Sequence, residues 1–178
     1  MQTRVRIGRA RSDDRLAVEK LLISNGFGTH ALDDGRARWV VARLGDLVLG
    51  CGCVSLADSV ALIDNVAVAA SHRRRSIGST LVGVLLDDAA ENGAANAYVM
   101  TRDSGGFFRR MRWRNVGRGE AMARTGLTLH GENQAFAVSL AGRSRVNRSE
   151  VGPKSTPEAA QGARAGAWPD AGESSSAG

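Results

Sequence analysis

The amino-acid sequence predicts one α/β domain built on a mixed, mostly antiparallel sheet flanked by helices. Three observations predict it. Two apolar runs, Trp39–Leu44 and Leu47–Val54, flank Gly45-Asp46 in the pattern of a β-hairpin. A third run, Val60–Val68, follows after Ala57-Asp58-Ser59 and reads as an antiparallel neighbour of the second. Beyond an arginine-rich turn, Leu81, Val82, Leu85, Leu86 and Ala89 recur at helical spacing, the buried face of a helix over about 77–92 that stops at Gly93.

The other elements follow in chain order. Residues 5–10 alternate and read as a first strand. Ser12, followed by Asp13 and Asp14, makes a helix start, and Leu16, Val18, Leu21 and Leu22 continue a helical stripe closed by Asn25-Gly26. Residues 27–36 read as a loop or short irregular helix. After the long helix come a buried strand at 97–100, a short helix at 104–111, a strand starting at 112–116 and a last strand at 135–140. The segment 117–134 carries no readable pattern. The domain is expected over 1–141. From 142 to 178 Ser, Gly, Ala, Arg, Glu and Pro dominate, too little apolar surface to offset the entropy of ordering, so a disordered tail is expected.

At 178 residues the chain is long enough for one domain with a sizeable core. Its net charge of +6 invites a nucleic-acid reading. Against it, the basic residues are nearly all arginine, with lysine only at Lys20 and Lys154, scattered and not interleaved with aromatics; a solvated basic surface is the better account. Cys51 and Cys53 alternate on one strand face, without zinc or redox spacing, and read as buried thiols in a reducing compartment. No metal site is expected; His30 and His130 stand isolated, and His72 reads as a loop residue near a phosphate. No targeting signal or membrane-length run is evident, so a cytoplasmic location is expected; the residues leave monomer or homodimer open.

The most informative segment runs from Ile63 to Val82: strand, Arg73-Arg74-Arg75, then a helix whose first turn is small and uncharged. A helix start leaves N–H groups without partners and carries partial positive charge, which suits a phosphate. The acids Asp87, Asp88 and Glu91 lie at the other end, leaving the positive end to an external anion; chance is the plain alternative.

The order of elements, the loop Arg73-Arg74-Arg75-Ser76-Ile77-Gly78 with Leu81-Val82 after it, and the late tract Gly106-Phe107-Phe108 to Val116 together resemble the GNAT superfamily of N-acetyltransferases over about residues 3–140. The resemblance implies a splayed sheet and acetyl-CoA as co-substrate, with a small-molecule primary amine as acceptor. Val66, Ala67 and Val68 would run beside the pantetheine arm, the N–H near Val66 polarising the thioester carbonyl. Arg73, Arg74, Arg75, Ser76, Ile77, Gly78 and Ser79 would hold the pyrophosphate. Phe108 would lie beside the cofactor, where the family keeps a tyrosine as acid; phenylalanine cannot donate a proton. Asp64, an acid within an apolar strand, is the candidate general base; a solvated strand-edge carboxylate is the alternative. Ser76 and Arg112 also replace family glycines. The late tract looks like the amino-acid-acetylating members, including the arsenic-resistance-associated type. An acyl-CoA-binding regulator of the same fold with weak turnover is the second expectation.

Overall fold

A computed structural model describes residues 4–127 and 133–143. The elements run β1 (Arg6–Arg9), α1 (Arg15–Ser24), β2 (Arg38–Leu44), β3 (Leu47–Ala57), β4 (Val60–Val68), α2 (Ile77–Glu91), β5 (Asn96–Thr101), α3 (Gly105–Arg110), β6 (Arg114–Val116), α4 (Arg118–Thr125) and β7 (Gln134–Ser139). The strands form one seven-stranded sheet in the order β1-β2-β3-β4-β5-β7-β6. Every neighbouring pair is antiparallel except β4 with β5. The mixed, mostly antiparallel α/β class expected from the patterning is therefore the one found. His130 and the expected tail from Ser144 onward lie outside the described residues.

Alternation along β3 explains how the layers meet. In Gly50-Cys51-Gly52-Cys53 both thiols sit in the cluster beneath α1, with Val18, Leu22 and Trp39. The glycines face α2: a Cβ on Gly52 would stand 3.0 Å from Leu85 Cδ1 and 3.3 Å from Val66 Cγ2. Missing side chains let Leu81 and Leu85 settle directly on the strand, in the main core with Ile63, Phe108 and Phe136. We expect Gly52→Val to destabilise the fold by about 2 kcal/mol through overpacking, read as a lower urea midpoint. A third cluster of Tyr98, Val116, Ala121, Ala135 and Ala137 lies under α4.

Two local expectations change. The first helix begins as a 3-10 turn over Ser12–Asp14, and α1 proper starts at Arg15. Asp14 turns inward, accepting the Arg11 N–H at 2.5 Å and both prongs of Arg43. Burial by itself would raise its carboxyl; the bonds from Arg43 and Arg11 outweigh that and hold it below the usual aspartate range. The second change is α4, in a segment without pattern. Ala121 is its only buried residue, so there is no apolar stripe to read; Gly126, at φ +69°, ends it, and Glu120 pairs with Arg114 at 2.7 Å.

The acids at the end of α2 have structural partners. Asp88 meets Arg38 at 2.8 Å and Arg9 at 3.4 Å, and Asp87 meets Arg143 at 2.7 Å. Among the described residues no helix is long and apolar enough to cross a membrane.

Candidate active site

β4 and β5 pair only from Val60–Ile63 against Asn96–Val99. Past that point β5 stays with β7, through Thr101, while β4 stays with β3, through Val68. A gap thus opens along the second half of β4. Ala69 N–H donates to Leu49 C=O at 2.8 Å, so odd-numbered residues there turn their backbone groups to β3. The groups of Val66 and Val68 point into the gap, where a ladder partner is missing.

A bulge marks the start of this gap. Cys53 pairs with Asp64 and Cys51 with Ala67, so Asn65 and Val66 together face Gly52. Asn65 lies in the left-handed region at φ +54°. The inserted residue reverses the alternation: Ala61 and Ile63 face α2 before it, and Val66 and Val68 after it. Asp64, cross-strand from Cys53, shares the α1 face. The residue is exposed by surface area, yet the protein around its carboxyl costs it hydration and pushes it above the usual aspartate range. The Asn65 N–H, 2.7 Å from Asp64 Oδ1, and the charge of His30 oppose this without outweighing it.

At the other end of the gap α2 begins without a side-chain cap. Ser76 sits at φ +61°, and its C=O accepts from Thr80 N–H at 3.0 Å and from the hydroxyls of Thr80 (2.8 Å) and Ser79 (2.9 Å). The N–H groups of Ile77, Gly78 and Ser79 have no acceptor among the described residues. Gly78 has room: a Cβ there would rest 3.7 Å from the Phe107 ring and from Val68 Cγ2. This uncapped turn, bordered by Val68 and an aromatic face, fits a phosphate-bearing ligand lying along β4.

The family model for the acetyltransferase (GNAT) family matches residues 10–111. The chain belongs to the acetyltransferase (GNAT) family. Membership places it among the acetyltransferases. No match was found among curated protein sequences. Solved structures share the fold at low identity. One is an N-acetylglutamate synthase from Neisseria gonorrhoeae, solved with coenzyme A and N-acetyl-glutamate (TM-score 0.66, 15% identity, 79% of this chain and 36% of that one). This acetyltransferase therefore spans about a third of that synthase. A Mycobacterium tuberculosis protein in complex with CoA matches at TM-score 0.62 and 22% identity, over 75% of this chain and 98% of that one. The ribosomal-protein-S18-alanine N-acetyltransferase of Escherichia coli matches at TM-score 0.61 and 15% identity, over 83% and 99%.

Within the acetyltransferase the anticipated site residues separate. Asp64, Val66, Val68, Ile77, Gly78 and Ser79 border the one gap, whereas Ala67 faces the core beneath α1. The arginines divide. Arg73 bends back, donating to Val68 C=O at 3.2 Å and to Asn25 Oδ1 at 2.6 Å, which ties the loop to the end of α1. Arg74 stays exposed at φ +59°. Arg75 and His72 line a groove of about 610 Å³ between α2 and the β1–β2 edge, with Ile7, Leu44, Val84 and Ile77, the residue before Gly78. Phe108 needs correction: its ring is 3% exposed, enclosed by Phe107, Trp113 and Phe136 at centroid distances of 5.0, 5.2 and 6.0 Å. On a helix, adjacent residues point apart, and it is Phe107 that faces the gap beside Gly78.

Ser76 adopts the conformation for which glycine is suited. Ser76→Gly should relieve the left-handed cost and stabilise the acetyltransferase by about 1 kcal/mol, seen as a melting point about 3 °C higher. Asn65 and Phe107 were missed by sequence reasoning. A polar residue in an apolar strand was the available signal for Asn65; for Phe107 nothing local distinguished it from its neighbour.

Proposed function

We propose that this acetyltransferase transfers an acetyl group from acetyl-CoA to the primary amine of a small molecule of amino-acid type, with Asp64 as general base. The observation that carries the reading is the pairing, on one gap, of an uncapped α2 start and a carboxylate held above its ordinary pKa. They are separated along β4 by the bulged stretch from Asp64 to Val68. Ile77, Gly78 and Ser79 hold the pyrophosphate through backbone N–H groups, while Val66 offers its backbone groups and Val68 its N–H to the pantetheine arm, the Val68 C=O being taken by Arg73.

The chemistry then follows from placement. Asp64 takes a proton from the acceptor ammonium, and the freed amine attacks the thioester carbonyl. The Val66 N–H stabilises the developing oxyanion, an effect worth about 3 kcal/mol where such donors have been removed elsewhere. The C–N bond forms, the C–S bond breaks, and the proton shed by the newly bonded nitrogen passes through water to the departing thiolate. Tyr98 does not serve as acid: it is 4% exposed, in the cluster under α4. The loop at 27–36 and the region of α4 supply the acceptor's surroundings.

A second reading, an acyl-CoA-binding regulator with little turnover, is favoured by one observation: a buried phenylalanine, Phe108, where the resemblance expects an acid. Two measurements separate the readings. Acetyl-CoA should raise the melting temperature, and a thiol-release assay over a panel of amines should show turnover. Binding without release on any amine would support the regulator; no stabilisation at high acetyl-CoA would remove both.

A further inference from the structure

We propose that Asn65 is a positioning residue for catalysis, a lock that aims the Asp64 carboxylate and the Val66 N–H and is itself anchored by the thiol of Cys53. The inference rests on the functional reading above and deepens it.

Asn65 is one of two buried polar or charged residues among those described, at 5% exposed. The other, Asp14, has an arginine partner. Asn65 has sulfur instead. Its Nδ2 donates to Cys53 Sγ at 3.7 Å, Cys53 S–H donates to Asp64 C=O at 3.5 Å, and Cys51 S–H donates to Asn65 C=O at 3.7 Å. The bulge places two residues opposite Gly52, so its carbonyls lose the regular ladder, and the two thiols take over part of that work. Burial drives both thiols up, that of Cys51 to about 12, which keeps them as neutral hydrogen-bonding groups.

This gives the Cys51–Cys53 pair and Asn65 a shared purpose. Asparagine tolerates φ +54° better than other residues with side chains, and its amide reaches the sulfur beneath. Glycine would keep the dihedral and lose the anchor. The same residue's N–H holds Asp64 Oδ1 at 2.7 Å, so any wobble of the bulge moves base and oxyanion donor together. The charged and titratable groups acting on this spot are His30 from the turn before β2, Cys53 from β3, and Asp34, which acts on the Cys53 thiol.

The test uses the full chain and three variants: Asn65→Gly, Cys53→Ala and Cys53→Ser. For each, kcat, the KM for acetyl-CoA and the pH–rate profile are measured, and the Asp64 carboxyl is titrated directly by carbon NMR. Asn65→Gly should lower kcat 10- to 100-fold, leave the KM for acetyl-CoA within threefold, and move the Asp64 titration upward as its N–H contact loosens. Cys53→Ala should do the same to a smaller degree, and Cys53→Ser, which keeps a donor and acceptor, should recover most of the loss. Should Asn65→Gly fail to fold, the cysteine pair of variants carries the test. An unchanged titration and pH profile in Asn65→Gly and Cys53→Ala would overturn the lock. If the wild type turns over no amine, the functional reading fails separately, and the NMR titration still decides whether Asn65 aims Asp64.

Discussion

Asp64→Asn is expected to cut kcat about a thousandfold while leaving the protein as stable as before, or more so, at neutral pH. The two halves have one cause. The carboxyl is held above its ordinary pKa by the protein around it, so the folded state binds that proton more tightly than the unfolded chain. Its contribution favours folding at acid pH, declines as pH rises from the unfolded aspartate value through the raised folded one, and stays unfavourable above. Asparagine, which cannot ionise, escapes that cost. Thermal melts at pH 7 and an acetylation assay on the same preparation check both. A variant that loses activity and stability together would mark Asp64 as structural. The wild-type acid limb should lie above the ordinary aspartate value. Asp14 has the opposite sign: its depressed carboxyl stabilises above the unfolded value, and the benefit is lost as pH falls through the folded one. Acid unfolding should therefore track Asp14 and Arg43, not Asp64.

Gly78→Glu is expected to abolish acetyl-CoA binding, with affinity down at least about 100-fold, without harming the fold. A Cβ at this position meets ordinary contacts at 3.7 Å, and an acid in the first turn of a helix favours the helix dipole. The same carboxylate occupies the place offered to a phosphate and repels it. Calorimetric titration with acetyl-CoA, beside a melt of the free protein, gives the result. Retained affinity would move the cofactor away from the start of α2. Gly78→Ala should lose far less, since it adds bulk without charge.

Most of the elements could be read from local pattern. The hairpin around Gly45 and the helix behind the arginine turn declare themselves through neighbouring residues: a glycine at φ +61° between apolar runs, and one apolar face on α2. The uncapped helix start was visible too, because its signal is the small residues within one turn. α4 was not, since it buries a single alanine. Phe107 and Phe108 look alike in the sequence, and only the position of α3 against β7 sends Phe108 into the core. The arginines form one cluster on paper; in the fold Asn25 claims Arg73 and the β1–β2 side receives Arg75.

By itself, then, the sequence determined the α/β class, the family resemblance and the strand–loop–helix that suits a phosphate, because these depend on residues within a turn or two of one another. Tertiary structure alone decided where β4 leaves β5, how the Asn65 bulge brings Val66 and Val68 round to the α2 face, and which aromatic ring borders the gap. Those outcomes depend on strand register and on partners such as Cys53, Gly52 and Val99, far away in the chain, which no local pattern specifies.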